Sequence, residues 1–294
     1  MKRKHFAITL SLAVLLCMTS AFAQTNYNFQ AVNYPDDTFT QLLGINDSGI
    51  VAGYHNFTAN QGFTYDVKTA KFTTENFSSS MQTQVIGINT GGETSGFYVS
   101  SSGVTEGFTD RLGKFTSVNY PGTPFNQLLS QNNYSQAAGY YSTSASGVPD
   151  VPYIYNELGG VFEVITIPNS TSAQATGIND SGEVCGFTID TKNKMHGWLL
   201  IQGQFTQFDD PHGKGTTAAL GLNNKGQVVG SYTDTSGNGH GFVYTVSSHS
   251  FETIDDPLGI GTTVVNGIND DGVLVGFWGT NPNNYGFVAT PATP

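Results

Sequence analysis

Apolar residues along this chain fall in short runs, some alternating with polar residues and some continuous, broken at close intervals by Gly, Pro, Asn and Asp. Such runs predict strands separated by tight turns. The pattern also recurs. Asn46, Asn89, Asn132, Asn179, Asn223 and Asn269 each stand seven residues before a glycine, at Gly53, Gly96, Gly139, Gly186, Gly230 and Gly276. One unit of about 44 residues is therefore repeated six times, the mark of a propeller or a related repeat architecture.

The fifth unit, Phe205 to Tyr244, shows how a unit is built. Phe205-Thr206-Gln207-Phe208-Asp209 alternates and then stops at Asp210-Pro211, because proline cannot donate to a ladder. Thr216 to Leu222 leads into Asn223-Asn224-Lys225-Gly226, a hairpin turn whose last residue needs positive φ. Five copies carry Gly at that last position and the third carries Ser135. The Asn is expected to fold its side chain back onto its own turn. Val228-Val229-Gly230 and its counterparts are apolar on both faces, as in sheets stacked on each side, so the Gly marks a place where an opposing aromatic leaves no room for a Cβ. A last strand carries a Gly-aromatic pair, Gly241-Phe242 here, with Pro152-Tyr153 as the variant in the third unit. Four antiparallel strands per unit predict a propeller blade.

Phe29 to Pro35 has the character of the Phe205 strand, and no such strand follows Gly286-Phe287. The expected fold is all-β: a six-bladed β-propeller of four-stranded antiparallel blades, closed by the N-terminal strand completing the last blade. Ring closure removes the loose seam that an open solenoid would have to cap.

Lys2-Arg3-Lys4, an apolar run from Phe6 to Cys17 and an Ala21-Phe22-Ala23 exit read as a secretory signal peptide over residues 1–23, leaving 24–294 as a single propeller domain. The apolar run is too short to be a membrane anchor, so no stable membrane insertion is expected. Cleavage removes three cations and takes the formal charge from -11 to -14, which disfavours nucleic acid and anionic lipid as partners. It also leaves Cys185 as the sole cysteine, so no intramolecular disulfide forms and Cys185 reads as a small core residue.

In a blade of this order the Asn turns gather on one face, which reads as a structural underside. The crossovers after the prolines and the variable connections between second and third strands gather on the other. Loop variation on a fixed frame points to binding there, with Tyr140, Tyr141, His196, His240, Trp278 and Tyr285 as candidate contacts. Asp209, Asp210, His212, Asp255 and Asp256 flank Pro211 and Pro257; they either end strands, hold Ca²⁺, or serve as acid and base on a sugar. No cofactor is otherwise expected. A nucleophile elbow, a zinc signature and a phosphate loop are all absent from the sequence.

Gly267-Ile268-Asn269-Asp270-Asp271-Gly272 through Val275-Gly276-Phe277 and Gly286-Phe287 resembles the unit of the bacterial extracellular HAF repeat family. His196-Gly197-Trp198 and His240-Gly241-Phe242 occupy the tract that names it, with Gly in place of Ala. The resemblance spans nearly the whole chain after the leader and implies an exported repeat protein without implying a reaction. The expectation is a secreted, non-catalytic binding or surface-associated module, extracellular or periplasmic and monomeric, whose partner is an extracellular glycan or protein. The alternative is a hydrolase or lyase acting on extracellular polysaccharide.

Overall fold

Repetition of the strand pattern has a direct structural result in the computed structural model, which describes residues 26–292. The expected leader lies outside the described residues. Blade 1 is formed by Thr40–Ile45, Ile50–His55, Gln61–Asp66 and Lys71–Thr74, paired in that order from the axis outward. The inner strands of blades 2 to 6 are Gln82–Ile88, Phe125–Gln131, Ser170–Ile178, Ala218–Leu222 and Thr263–Ile268.

The sixth blade is completed from the other end of the chain. Tyr27–Ala31 pairs antiparallel with Asn283–Pro291, in register from Tyr27 opposite Pro291 to Ala31 opposite Phe287. Phe29 packs against Phe287 with ring centroids 5.3 Å apart, and Asn33 Oδ1 accepts the Gly286 N–H at 3.0 Å. The chain thus closes into a six-bladed propeller, with its first strand as the clasp.

Adjacent blades also touch through single parallel rungs. Thr105 meets Phe125, Met195 meets Thr216, Gly239 meets Thr262, and Asn284 meets Phe39 across the closure. Each ties the third strand of one blade to the start of the next inner strand.

Between the blades lies the core. The aromatic of each Gly-aromatic pair, Phe63, Phe108, Tyr153, Trp198, Phe242 and Phe287, is completely buried. Burying one such ring stabilises the fold by about 1.5 to 3 kcal/mol. The second-strand Gly makes room for it. At Gly186 a Cβ would run into the Gln174 carbonyl and come within 2.6 Å of the Trp198 ring, so two neighbours forbid a side chain there, not one. The turn position behaves as its sequence predicts: Gly226 has φ 72°, and Ser135, its counterpart in blade 3, has φ 59°. Cys185 is buried, and that burial pushes its thiol up to about 12.

Candidate functional site

The inner strands line a central channel containing a cavity of about 340 Å³. Its shape follows from an irregularity shared by all six. Each inner strand carries a β-bulge at the same register, so Leu43, Ile86, Leu129, Thr176, Leu220 and Asn266 are left unpaired with the second strand. These residues form a collar on the cavity wall, apolar except for Thr176 and Asn266, which are bonded to the Ala219 and Leu42 carbonyls. A bulge re-aims side chains and tightens local twist, which is how a narrow barrel of inner strands turns one residue per blade toward its axis.

Below the collar the Asn residues do more than close their own turns. Asn46 Oδ1 accepts the N–H groups of Ser48 and Ile50, as expected, while its Nδ2 donates to the Asn89 carbonyl of the next blade at 2.9 Å. Asn89 donates to Asn132, Asn132 to Asn179, Asn179 to Asn223, Asn223 to Asn269, and Asn269 back to Asn46. All six are buried, and the bonds run once round the molecule without a gap.

The residue after each Asn forms the rim: Asp47, Thr90, Asn133, Asp180, Asn224 and Asp270. Neighbours here are also linked, for example Asn133 N–H to Asp180 Oδ1 at 2.9 Å and Asn224 N–H to Asp270 Oδ1 at 2.8 Å. The rim is therefore held in place before any ligand arrives. It carries three carboxylates, and among the described residues no Lys, Arg or His lines the cavity.

Above the collar stand four glutamines from consecutive blades, Gln41, Gln84, Gln127 and Gln174. At the same register blades 5 and 6 have Ala218 and Val264. Gln41 and Gln127 each accept a hydroxyl, from Tyr54 and Tyr140 respectively. Gln84 Nε2 donates to Asn60 Oδ1 and Gln174 Nε2 to Asp150 Oδ2, both at 2.7 Å. Asn60 and Asp150 come from the variable connections of the preceding blades. Burial pushes the Asp150 carboxyl above its usual range, and the Gln174 and Ser172 side chains partly offset that.

None of the side chains named from sequence as candidate contacts, metal ligands or catalysts lines this cavity. The Asn-turn face, read there as an underside, carries its rim. Tyr140, expected to be exposed, is buried because its hydroxyl reaches inward to Gln127. Tyr141 stacks on Tyr120 at 3.8 Å, and Trp278 packs on Tyr285 at 4.5 Å. His196 Nδ1 lies 2.9 Å from each oxygen of Asp209, with Nε2 3.5 Å from Asp190. His240 repeats this in the next blade, 3.0 Å from both oxygens of Asp255 and 3.5 Å from Asp234. Asp234 is held down to about 2 by the backbone N–H and then the side chain of Asn238.

The remaining carboxylates brace turns. Asp210 is fully buried, and its Oδ1 takes the backbone N–H of His212 at 2.8 Å and the ring Nδ1 at 3.1 Å. Asp256 Oδ1 takes the Leu258 N–H at 2.8 Å, and burial raises its carboxyl pKa. Among the described residues, no group of three or more His, Cys, Asp and Glu is placed to hold a metal ion. Nor is any helix among them long and apolar enough to cross a membrane.

The glutamine arc had a signal in the sequence: each of the four stands five residues before its turn Asn, at 41 and 46, 84 and 89, 127 and 132, 174 and 179. A polar residue recurring on the axis side of an otherwise apolar strand marks a channel wall.

No family model and no curated protein matches the chain. Solved propellers superpose on it at low identity. TolB from Acinetobacter baumannii gives a TM-score of 0.56 at 11% identity over 74% of this chain, which spans 54% of the TolB chain. A nidogen/laminin complex gives 0.54 at 12% identity, covering 78% of this chain and 84% of that one. A mutant Aleuria aurantia lectin in complex with Fucalpha1-6GlcNAc gives 0.52 at 12% identity, covering 88% and 99%. Identities this low establish a shared fold alone.

Proposed function

We propose that the protein is a secreted β-propeller, extracellular or periplasmic, working as a non-catalytic binding or surface-associated module for an extracellular glycan or protein. The observation that carries this reading is the lining of the channel: amides and apolar side chains above a hydrogen-bonded rim, with no basic group and no histidine among the described residues that form it. Such a wall has the makings of recognition, an apolar pocket with a few placed polar groups. Its rim carboxylates, Asp47, Asp180 and Asp270, are each tied to a backbone N–H of a neighbouring blade. Of the carboxylates named for the catalytic alternative, Asp209 and Asp255 each contact a histidine, and Asp210 and Asp256 accept turn N–H groups. On this reading the protein is a monomer of the HAF repeat type, needs no cofactor and takes neither nucleic acid nor a membrane as partner.

A glycan array combined with a pull-down from extracellular material tests it. A reproducible ligand in either is expected, together with no release of product from candidate polysaccharides. Product release that vanishes in Asp209→Asn or Asp255→Asn would replace the binding module with an enzyme.

A further inference from the structure

The four channel glutamines are not equivalent, and the way each is held decides what it presents. Asp150 accepts one Gln174 N–H, which fixes the orientation of that amide and leaves its Oε1 and second N–H unmatched. Asn60 donates its own amide N–H to the Asn56 carbonyl at 2.8 Å, which leaves Asn60 Oδ1 to accept from Gln84 and turns the Gln84 Oε1 to the cavity. Gln41 and Gln127 are anchored through Oε1 by tyrosine hydroxyls and keep Nε2 unspent. Read round the channel, blades 1 and 3 therefore offer amide N–H groups, and blades 2 and 4 offer an amide oxygen together with one N–H. No hydrogen bond joins one glutamine to the next, so these groups can be satisfied by something between them. The collar beneath is apolar at four of its six positions, and the carboxylates of the rim repel anions.

We propose that this cavity binds the terminal residue or two of a neutral saccharide, a deepening that rests on the binding-module reading above. A sugar ring carries hydroxyls that both donate and accept around its edge and C–H groups across its face. The edge matches the amide arc and the face matches the collar of Leu43, Ile86, Leu129 and Leu220. A uronate or phosphate finds no cation in the wall and meets Asp47, Asp180 and Asp270 at the rim. Asp150 is a positioning residue: by accepting one Gln174 N–H it sets the orientation in which that amide meets the ligand.

The test is calorimetric titration of the purified protein with neutral mono- and disaccharides, and with glucuronate as the anionic counterpart of glucose. At least one neutral saccharide should bind, with glucuronate weaker than glucose by tenfold or more. Gln84→Met and Gln174→Met keep side-chain length and should each weaken binding about tenfold, the loss expected for a desolvated ligand hydroxyl left without its partner. Should either variant unfold, Asp150→Asn leaves the wall intact while freeing Gln174 to turn over, and a several-fold loss is expected. Saccharide binding that survives all three variants but is abolished by Tyr141→Ala or Trp278→Ala would overturn the channel site and leave the binding module standing on its loop face. Capture of an extracellular protein with no saccharide bound would overturn the saccharide while keeping the module. Absence of any partner would remove both.

Discussion

Two seams of this ring use the same slots for opposite chemistry. Between blades 4 and 5, Phe208 closes the outer strand and stacks on Tyr244 with centroids 4.7 Å apart and planes at 11°. The slot of Phe208 is the residue opposite the Gly of the Gly-aromatic pair, and elsewhere it holds buried Val32, Val118, Ile165 and Ile254. Between blades 1 and 2 it holds Glu75, whose N–H makes the equivalent bond to the Gly62 carbonyl at 2.9 Å. The slot of Tyr244, paired with Val228, is filled there by Asp110, paired with Thr94. Thr94 Oγ1 donates to Glu75 Oε1, while Asp110 is buried with one carboxylate oxygen unpartnered. An aromatic stack has become an acid pair without change of backbone. What sets the geometry of a blade is its ladder and its glycines; what sets the strength of a seam is the side chains that meet across it.

The largest expected effect breaks the apolar seam. Phe208→Ala removes a ring from between two sheets that cannot collapse onto the gap, at a cost of about 3 to 5 kcal/mol in denaturant unfolding. Glu75→Ala at the matching position should not cost this much at any pH above neutrality. A comparable loss would mean that the acid pair stabilises its seam as the aromatic pair does.

Next comes pH. Burial, with Asp110 nearby adding to it and Thr94 opposing it, pushes Glu75 up to about 7. Burial likewise raises Asp110, against the N–H groups of Gly113 and Lys114. A carboxyl whose folded pKa lies above its unfolded one binds its proton more tightly in the native state. Stability is therefore greatest where Glu75 is protonated in both states and falls as pH rises from its ordinary range through about 7. The shift is worth about 3 kcal/mol at most. Urea midpoints at pH 5 and pH 8 should differ in that direction, and Glu75→Val should flatten the difference and raise the midpoint at pH 8. An unaltered pH profile in that variant would assign the titration elsewhere.

Smaller again is the ring of asparagines, which spans all seams alike. Asn223→Ala removes the bond to Asn269 and leaves the Lys225 and Gln227 N–H groups unmatched, for about 2 kcal/mol. Asn223→Asp keeps the acceptor for the turn but sets a buried carboxylate oxygen against the Asn269 carbonyl and Gln227 Oε1, and should cost at least as much. A clearly smaller loss than in Asn223→Ala would mean that the interblade bond contributes little and the turn most.

How much of this was open to sequence reading divides along a physical line. The period of Asn and Gly, the Ser135 exception and the unmatched strand at Phe29 are local signals, and they lead to the ring and its closure because each reports on its own few residues. The asparagine Nδ2 bonds are not local: an amide that meets the next blade's carbonyl has the same sequence context as one that meets water. His196 and His240 read from sequence as candidate contacts because their partners, Asp209 and Asp255, lie 13 and 15 positions away, just past the end of another strand. Glu75 and the glutamine arc sit between these cases. Both are visible once copies are aligned by strand instead of by turn, as departures from what the slot holds elsewhere.

The histidine clasps allow the finest comparison, since three blades solve the same problem with different pairs. In blade 1 Asn76 Nδ2 donates to Gln61 Oε1 at 2.7 Å, and in blade 2 Asn119 Nδ2 donates to Glu106 Oε2 at 2.8 Å. In both, the Asn Oδ1 also takes the N–H of the following Gly, at 2.9 Å to Gly62 and 3.1 Å to Gly107. His240 and Asp255 occupy these two positions in blade 5. If they are a structural clasp, Gln61 and Asn76 should be transferable as a unit. His240→Gln alone leaves Asp255 a partly desolvated carboxylate facing an amide, and Asp255→Asn alone leaves the ring nitrogen a weaker acceptor; each should cost about 1 kcal/mol or less. The double variant should regain most of the combined loss, a coupling measurable in a double-mutant cycle by thermal unfolding. Strictly additive losses would show that His240 and Asp255 act separately, and the pair would return to the list of groups that face a ligand.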